Sequence, residues 1–198
     1  MKSTTCPSPG SAAIRWRAHI ASCCVATLAI AESAHAADGF APSRLFVQAG
    51  VAEQAQTLVF GAVWDWRWHK PLSSGLLTGY WEFSFGRWSS QAGPGGSSSA
   101  WVTQLGVTPV LRWYPGAGTA RWFVEAGIGA NVLAPIYRSR DKQFSTEFNF
   151  GDHLAVGWHL GPERQHEISL RAQHFSNAGI KRPNPGEDFL QLRYVARY

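Results

Sequence analysis

Apolar residues recur at every second position through most of this 198-residue chain, and that period admits strands and little else. Leu58, Phe60, Ala62, Trp64, Trp66 and Trp68 alternate with Val59, Gly61, Val63, Asp65, Arg67 and His69. Leu77, Gly79, Trp81, Phe83 and Phe85 oppose Thr78, Tyr80, Glu82 and Ser84. Similar sets run through Trp101–Trp113, Trp122–Ile128, Ile168–Ala172 and Leu190–Tyr198, with weaker ones at Arg44–Val51 and Gln143–Trp158. Together they predict eight strands, separated by Gly/Pro/Ser-rich punctuation such as Ser89–Ser99. No repeat or linker divides them.

The first 36 residues read differently. Lys2, Arg15 and Arg17 form a basic head, Ile20–Ala31 an apolar run, and Ala34-His35-Ala36 a small-residue cleavage site, the pattern of an export signal. Cleavage would leave residues 37–198 as a single domain with 15 basic and 12 acidic residues, too balanced to argue for nucleic acid. Cys6, Cys23 and Cys24 all lie in the signal, so the mature chain has no disulfide, thiol nucleophile or thiolate metal site.

An exported chain with only 16% charged residues and ten Trp needs a reason to be so apolar. Trp101 and Trp113 stand twelve positions apart in one predicted strand. At ~3.3 Å per residue and a tilt of about 45° they are separated by roughly 28 Å along a membrane normal, close to the distance between two aromatic girdles. The opposite face carries Gln, Gly and ions: Asp65, Arg67, Glu82, Arg112, Glu125, Arg171 and Arg193, which would pair inside a narrow lumen. The expectation is an all-β, eight-stranded antiparallel transmembrane β-barrel in an outer membrane. A secreted sandwich or lipocalin-like barrel shares the alternation and is the competing architecture. Two residues sit awkwardly: Pro109 in mid-strand, and Asp152, which parity puts on the lipid face with Phe148, Phe150 and Leu154.

One segment carries chemistry. His174 and Ser176 are two apart on a strand, so both project from one face, the face of Ile168, Leu170 and Ala172. An imidazole beside a hydroxyl facing lipid is costly and marks a functional candidate, although an interfacial His bonded to a loop carbonyl is the bland explanation. His69, His153, His159 and His166 show no metal-ligand spacing, so neither metal nor other cofactor is expected.

The chain resembles the lipid A 3-O-deacylases of Gram-negative outer membranes (PagL type). The resemblance spans essentially residues 37–198. It is carried by Trp64-Asp65-Trp66, Leu77-Thr78-Gly79-Tyr80-Trp81, Glu125-Ala126-Gly127-Ile128-Gly129 and, most sharply, His174-Phe175-Ser176-Asn177-Ala178-Gly179 followed by Lys181, Pro183, Asn184 and Gly186. It implies an outer-membrane serine esterase that removes the 3-O-linked 3-hydroxyacyl chain of lipid A in lipopolysaccharide. On this resemblance Ser176 is the nucleophile and His174 its base, and the main-chain N–H groups of Asn177 and Gly179 are candidate oxyanion donors. The family's acid is a Glu fourteen positions after the His, where this sequence has Asp188, with Glu187 next to it. Parity places Asp188 on the face of His174 and Glu187 on the lumen face; a bulge at Pro185-Gly186 would exchange them. The rival functions are a non-enzymatic structural or adhesion barrel and a different outer-membrane lipid enzyme, a phospholipase or acyltransferase. The expected partners are lipid A and the outer membrane, not nucleic acid, with a homodimer left open.

Overall fold

The computed structural model describes residues 41–90 and 101–198. The export signal expected over residues 1–36 and the tip of the Ser89–Ser99 punctuation lie outside the described residues.

Eight antiparallel strands close into a barrel in chain order: β1 Arg44–Val51, β2 Ala55–Leu72, β3 Gly75–Ser90, β4 Trp101–Pro115, β5 Trp122–Ala134, β6 Phe148–Leu160, β7 His166–Ser176 and β8 Glu187–Ala196. β1 pairs with β8, Leu45 opposite Ala196, so the barrel has no open edge. Tight connections at 73–74, 116–121 and 161–165 share one end with both strand termini of the barrel; the β1–β2 turn and the longer connections 135–147 and 177–186 lie at the other.

The alternation becomes an inside and an outside. Phe60, Phe83, Leu105, Ile128, Leu154, Leu170 and Leu192 are exposed on the outer wall. Their burial must come from a surrounding apolar medium, since fully burying one such side chain is worth about 1.5–3 kcal/mol. Trp101 and Trp122 stand exposed towards opposite strand ends, and Trp113 packs edge-on against Trp122 at 5.8 Å.

Inside, side chains fill the lumen. Arg112 pairs with Glu125 at 2.7 Å and Glu167 at 2.9 Å; Arg171 bridges Glu82 at 3.0 Å and Glu125 at 3.2 Å; Arg193 also pairs with Glu82. Each of these charges is buried and faces an opposite one, the condition under which buried ions are tolerated. The expected network is therefore present, extended by Arg44 and Glu167. Asp65 joins it only at the terminus end, through Arg44, while Arg67 is exposed in a stretch where β2 bulges between Asp65 and His69. Two apolar clusters pack in the lumen: Phe46, Val59, Val63, Tyr80, Val110 and Val195 lie among the ions, with Arg193 over the Phe46 ring and Arg112 over Tyr80, and Trp88, Val102, Leu133, Tyr137, Phe144, Phe175 and Phe189 form the other.

The weak strand read at Gln143–Trp158 starts later, at Phe148. The residues before it belong to a small hairpin, with Ser139 N–H donating to Lys142 O at 2.8 Å and Phe144 N–H to Tyr137 O at 3.0 Å. This hairpin drops Tyr137 and Phe144 into the mouth of the barrel, where both pack on the aromatic cluster around Trp88. Pro109 is accommodated because the β4–β5 ladder passes from Val107↔Ala130 to Val110↔Gly127, skipping the position where proline has no N–H to give.

Candidate active site

Three adjacent strands bring the candidate residues together. β6, β7 and β8 pair without a register shift, so Asp152, His174 and Asp188 form one cross-strand row, continued by Ile128 on β5. All four side chains share the outer face. His174 Nδ1 lies 2.7 Å from Asp188 Oδ1. A carboxylate only accepts, so Nδ1 carries the proton and donates it, which leaves Nε2 as the imidazole's basic nitrogen. The pair is outward, with the Asp188 side chain 81% and the His174 side chain 40% exposed on the bare protein.

Ser176 closes β7, two residues beyond His174 on the same face. Its Oγ accepts from Ala178 N–H at 3.4 Å and is not bonded to the imidazole. The structure thus joins His174 to Asp188 and leaves Ser176 beside them. Catalytic hydrogen bonds are commonly loose before substrate is present.

Glu187 points the other way, into the barrel. Only 1% exposed, it accepts from Tyr137 Oη at 2.7 Å and pairs with Lys142 at 2.9 Å. Burial raises the Tyr137 phenol above its ordinary pKa and keeps it a donor. β8 runs in one register from its first residue, Phe175↔Glu187 and His174↔Asp188, so the two carboxylates are not exchanged. Glu187 is a latch between β8 and the hairpin, not a partner of the imidazole.

Asn177 organises the loop that follows Ser176. Its Nδ2 lies 2.8 Å from Lys181 O and 3.1 Å from both Ser145 Oγ and Thr146 Oγ1. Its own N–H donates to Asn184 Oδ1 at 3.0 Å, and Gly179 N–H donates to Asn177 Oδ1 at 3.0 Å. The two N–H groups expected to receive an oxyanion are thus held by side-chain amide oxygens in the resting structure, and the N–H directed at Ser176 is that of Ala178.

Two residues were not singled out as chemical by their sequence. Gly186, at φ +69°, sits against the imidazole: a Cβ there would stand 2.5 Å from His174 Cε1 and 3.1 Å from Nε2. Only glycine combines that backbone with that approach. Asp152 flanks His174 on the side away from Asp188, and the uninterrupted register keeps it on the outer face where parity had put it. Below this row a groove of about 880 Å³ crosses the outer wall, floored by Ala172 and Ala126 and reaching Leu111 and Trp66.

A family model for lipid A 3-O-deacylase (PagL) matches residues 58–197. The chain belongs to that family. Among relatives, the lipid A deacylase PagL of Pseudomonas aeruginosa is 31% identical over 172 residues, which span 86% of this chain and 94% of that protein. The lipid A deacylase PagL of Bordetella bronchiseptica is 43% identical over 104 residues, 52% of this chain and about half, 55%, of its own length. A crystal structure of the outer membrane enzyme PagL superposes with a TM-score of 0.67 at 27% identity, covering 78% of this chain and 99% of that one. Family and barrel together make this an outer membrane protein.

Proposed function

We propose that this barrel hydrolyses the ester-linked acyl chain at position 3 of lipid A, with Ser176 as nucleophile, His174 as base and Asp188 as the acid of the triad. The observation that carries the reading is the 2.7 Å His174–Asp188 contact on the outer wall, with Ser176 on the same face of the same strand, in a chain of the lipid A 3-O-deacylase family. A barrel that only spanned a membrane would have no use for an imidazole, a hydroxyl and two carboxylates on its lipid side, where such groups are costly.

The chemistry follows from the roles. His174 Nε2 takes the Ser176 proton as Oγ attacks the ester carbonyl, and Asp188 stabilises the imidazolium that results. The tetrahedral oxyanion draws on N–H groups of the 177–179 loop, that of Ala178 being the one already aimed at Ser176. Collapse breaks the carbon–oxygen bond to the sugar, whose oxygen leaves with the imidazolium proton. Water, deprotonated by His174, then splits the acyl-enzyme to a free fatty acid and restores Ser176. The groove over Ala172 and Ala126 supplies an apolar bed for the acyl chain, which never has to leave the hydrocarbon layer. On this reading the loop end of the barrel stands at the outer-leaflet rim, where the ester lies.

The test is mass spectrometry of lipid A after incubation with purified protein in detergent. Loss of one 3-hydroxyacyl chain supports the reading. Gain of an acyl chain would point to a transferase, and unchanged lipid A to a barrel without this activity.

A further inference from the structure

The loop between nucleophile and acid carries charge that the triad does not use. Residues 177–186 join β7 to β8, and their backbone is pinned near position 181 from two sides. Lys181 O accepts from Asn177 Nδ2 at 2.8 Å and from Ser145 Oγ at 2.9 Å, while Ile180 N–H donates to Asn177 O at 3.0 Å. The Lys181 carbonyl is thereby turned inward. The side chains of Lys181 and Arg182 are exposed, and next to them Ile180 is 67% exposed.

Two other cations at the same end are engaged, whereas Arg138 and Arg140 of the hairpin are exposed like Lys181 and Arg182 but lie on another connection, away from the Ser176–Asp188 loop. Lys142 is spent on Glu187, and Arg87 lies over the Trp101 ring at 5.6 Å. Among the described residues neither Lys181 nor Arg182 is in an ion pair, although the carboxylate of Glu147 is exposed two positions from Ser145. An apolar residue beside two free cations suits the depth where hydrocarbon gives way to headgroups. Guanidinium and ammonium groups held there on a fixed backbone match a phosphate, the Arg in bidentate fashion and the Lys as a point charge.

We propose that Lys181 and Arg182 form a phosphate subsite for the headgroup of the glycolipid whose ester is cleaved at Ser176, an inference that rests on the deacylase reading. The site sits on the connection that joins Ser176 to Asp188, the same loop that carries the nucleophile at one end and the acid at the other. It orients the sugar so that the ester, and not a neighbouring hydroxyl, meets the nucleophile.

The experiment compares lipid A with and without its phosphate groups in nonionic detergent and phosphate-free buffer, where the substrate carries the only phosphate. The wild-type protein should favour the phosphorylated form by about tenfold in kcat/KM, mostly through KM. In the double variant Lys181→Gln/Arg182→Gln that ratio should fall close to one. Arg140→Gln, at the tip of the hairpin beside Asp141 and Gln54, should keep the wild-type ratio. A wild-type ratio near one, a double variant that retains the preference, or an equal loss in Arg140→Gln would each overturn the subsite, the last by showing a diffuse field instead. Wild-type protein that releases no acyl chain from either lipid would instead overturn the deacylase reading itself.

Discussion

Replacing Asp188 by Asn removes one charge and almost no volume, so it isolates what the carboxylate does for His174. With Nδ1 and Oδ1 2.7 Å apart, the centres of the two charged groups are about 4 Å apart. At that distance an imidazolium–carboxylate attraction is worth about 1 kcal/mol in water and about 4 kcal/mol at an effective dielectric of 20. The Asp188 side chain is largely exposed on the bare protein, which argues against the upper figure, while the proposed position at the edge of the hydrocarbon layer argues against the lower one. An intermediate 2–3 kcal/mol corresponds to a loss of about a hundredfold in kcat. Asp188→Glu keeps the charge on a side chain one methylene longer and should retain most of the rate. Glu187→Gln still accepts from Tyr137 and loses only the Lys142 pair, so turnover should stay within about threefold while thermal stability drops by about 1–3 kcal/mol. The assay is the time course of acyl release from lipid A, with folding checked by heat-dependent gel mobility. If Asp188→Asn remains within threefold of wild type, or Glu187→Gln is the more damaging change, the acid has been misassigned.

The other predictions follow from the same geometry. Ser176→Ala and His174→Ala should each fold as heat-modifiable barrels and lose acyl release by at least about a thousandfold; near-normal turnover in either would remove that residue from the triad. Gly186→Ala puts a methyl group into the His174 ring at a backbone angle that disfavours it, so kcat should fall sharply while the unfolding free energy drops by only about 1–2 kcal/mol; an unimpaired Gly186→Ala would show that the ring is free to move. Leu170→Arg on the outer wall should cost about 2–4 kcal/mol in assembly, measured by folding yield into vesicles. Glu82→Ala leaves Arg171 and Arg193 without their shared carboxylate and should destabilise by about 3–5 kcal/mol in a denaturant titration; a change below 1 kcal/mol would mean that water replaces the carboxylate.

Much of this was legible in the residues alone, because period two is a local property. Whether Leu170 or Arg171 faces lipid is decided by neighbours two positions away, so the strands, their two faces and the outward placement of His174, Ser176 and Asp188 could be read without coordinates. The same parity put Asp152 on the outer face, and the uninterrupted β6–β7 register keeps it there. What local pattern could not decide was which distant residues meet. Closure of the barrel sets Arg44 against Glu167 and Arg193 against Glu82, pairs separated by more than a hundred positions. It also fixes the register that lays Asp152 and Asp188 on either side of one imidazole. The hairpin at 135–147 has no period to announce it; its place follows from the empty mouth it fills with Tyr137 and Phe144, and from the inward Glu187 that holds it. Gly186 shows the same division: its letter permits a turn, but only the folded β7–β8 loop puts that turn against the ring of His174.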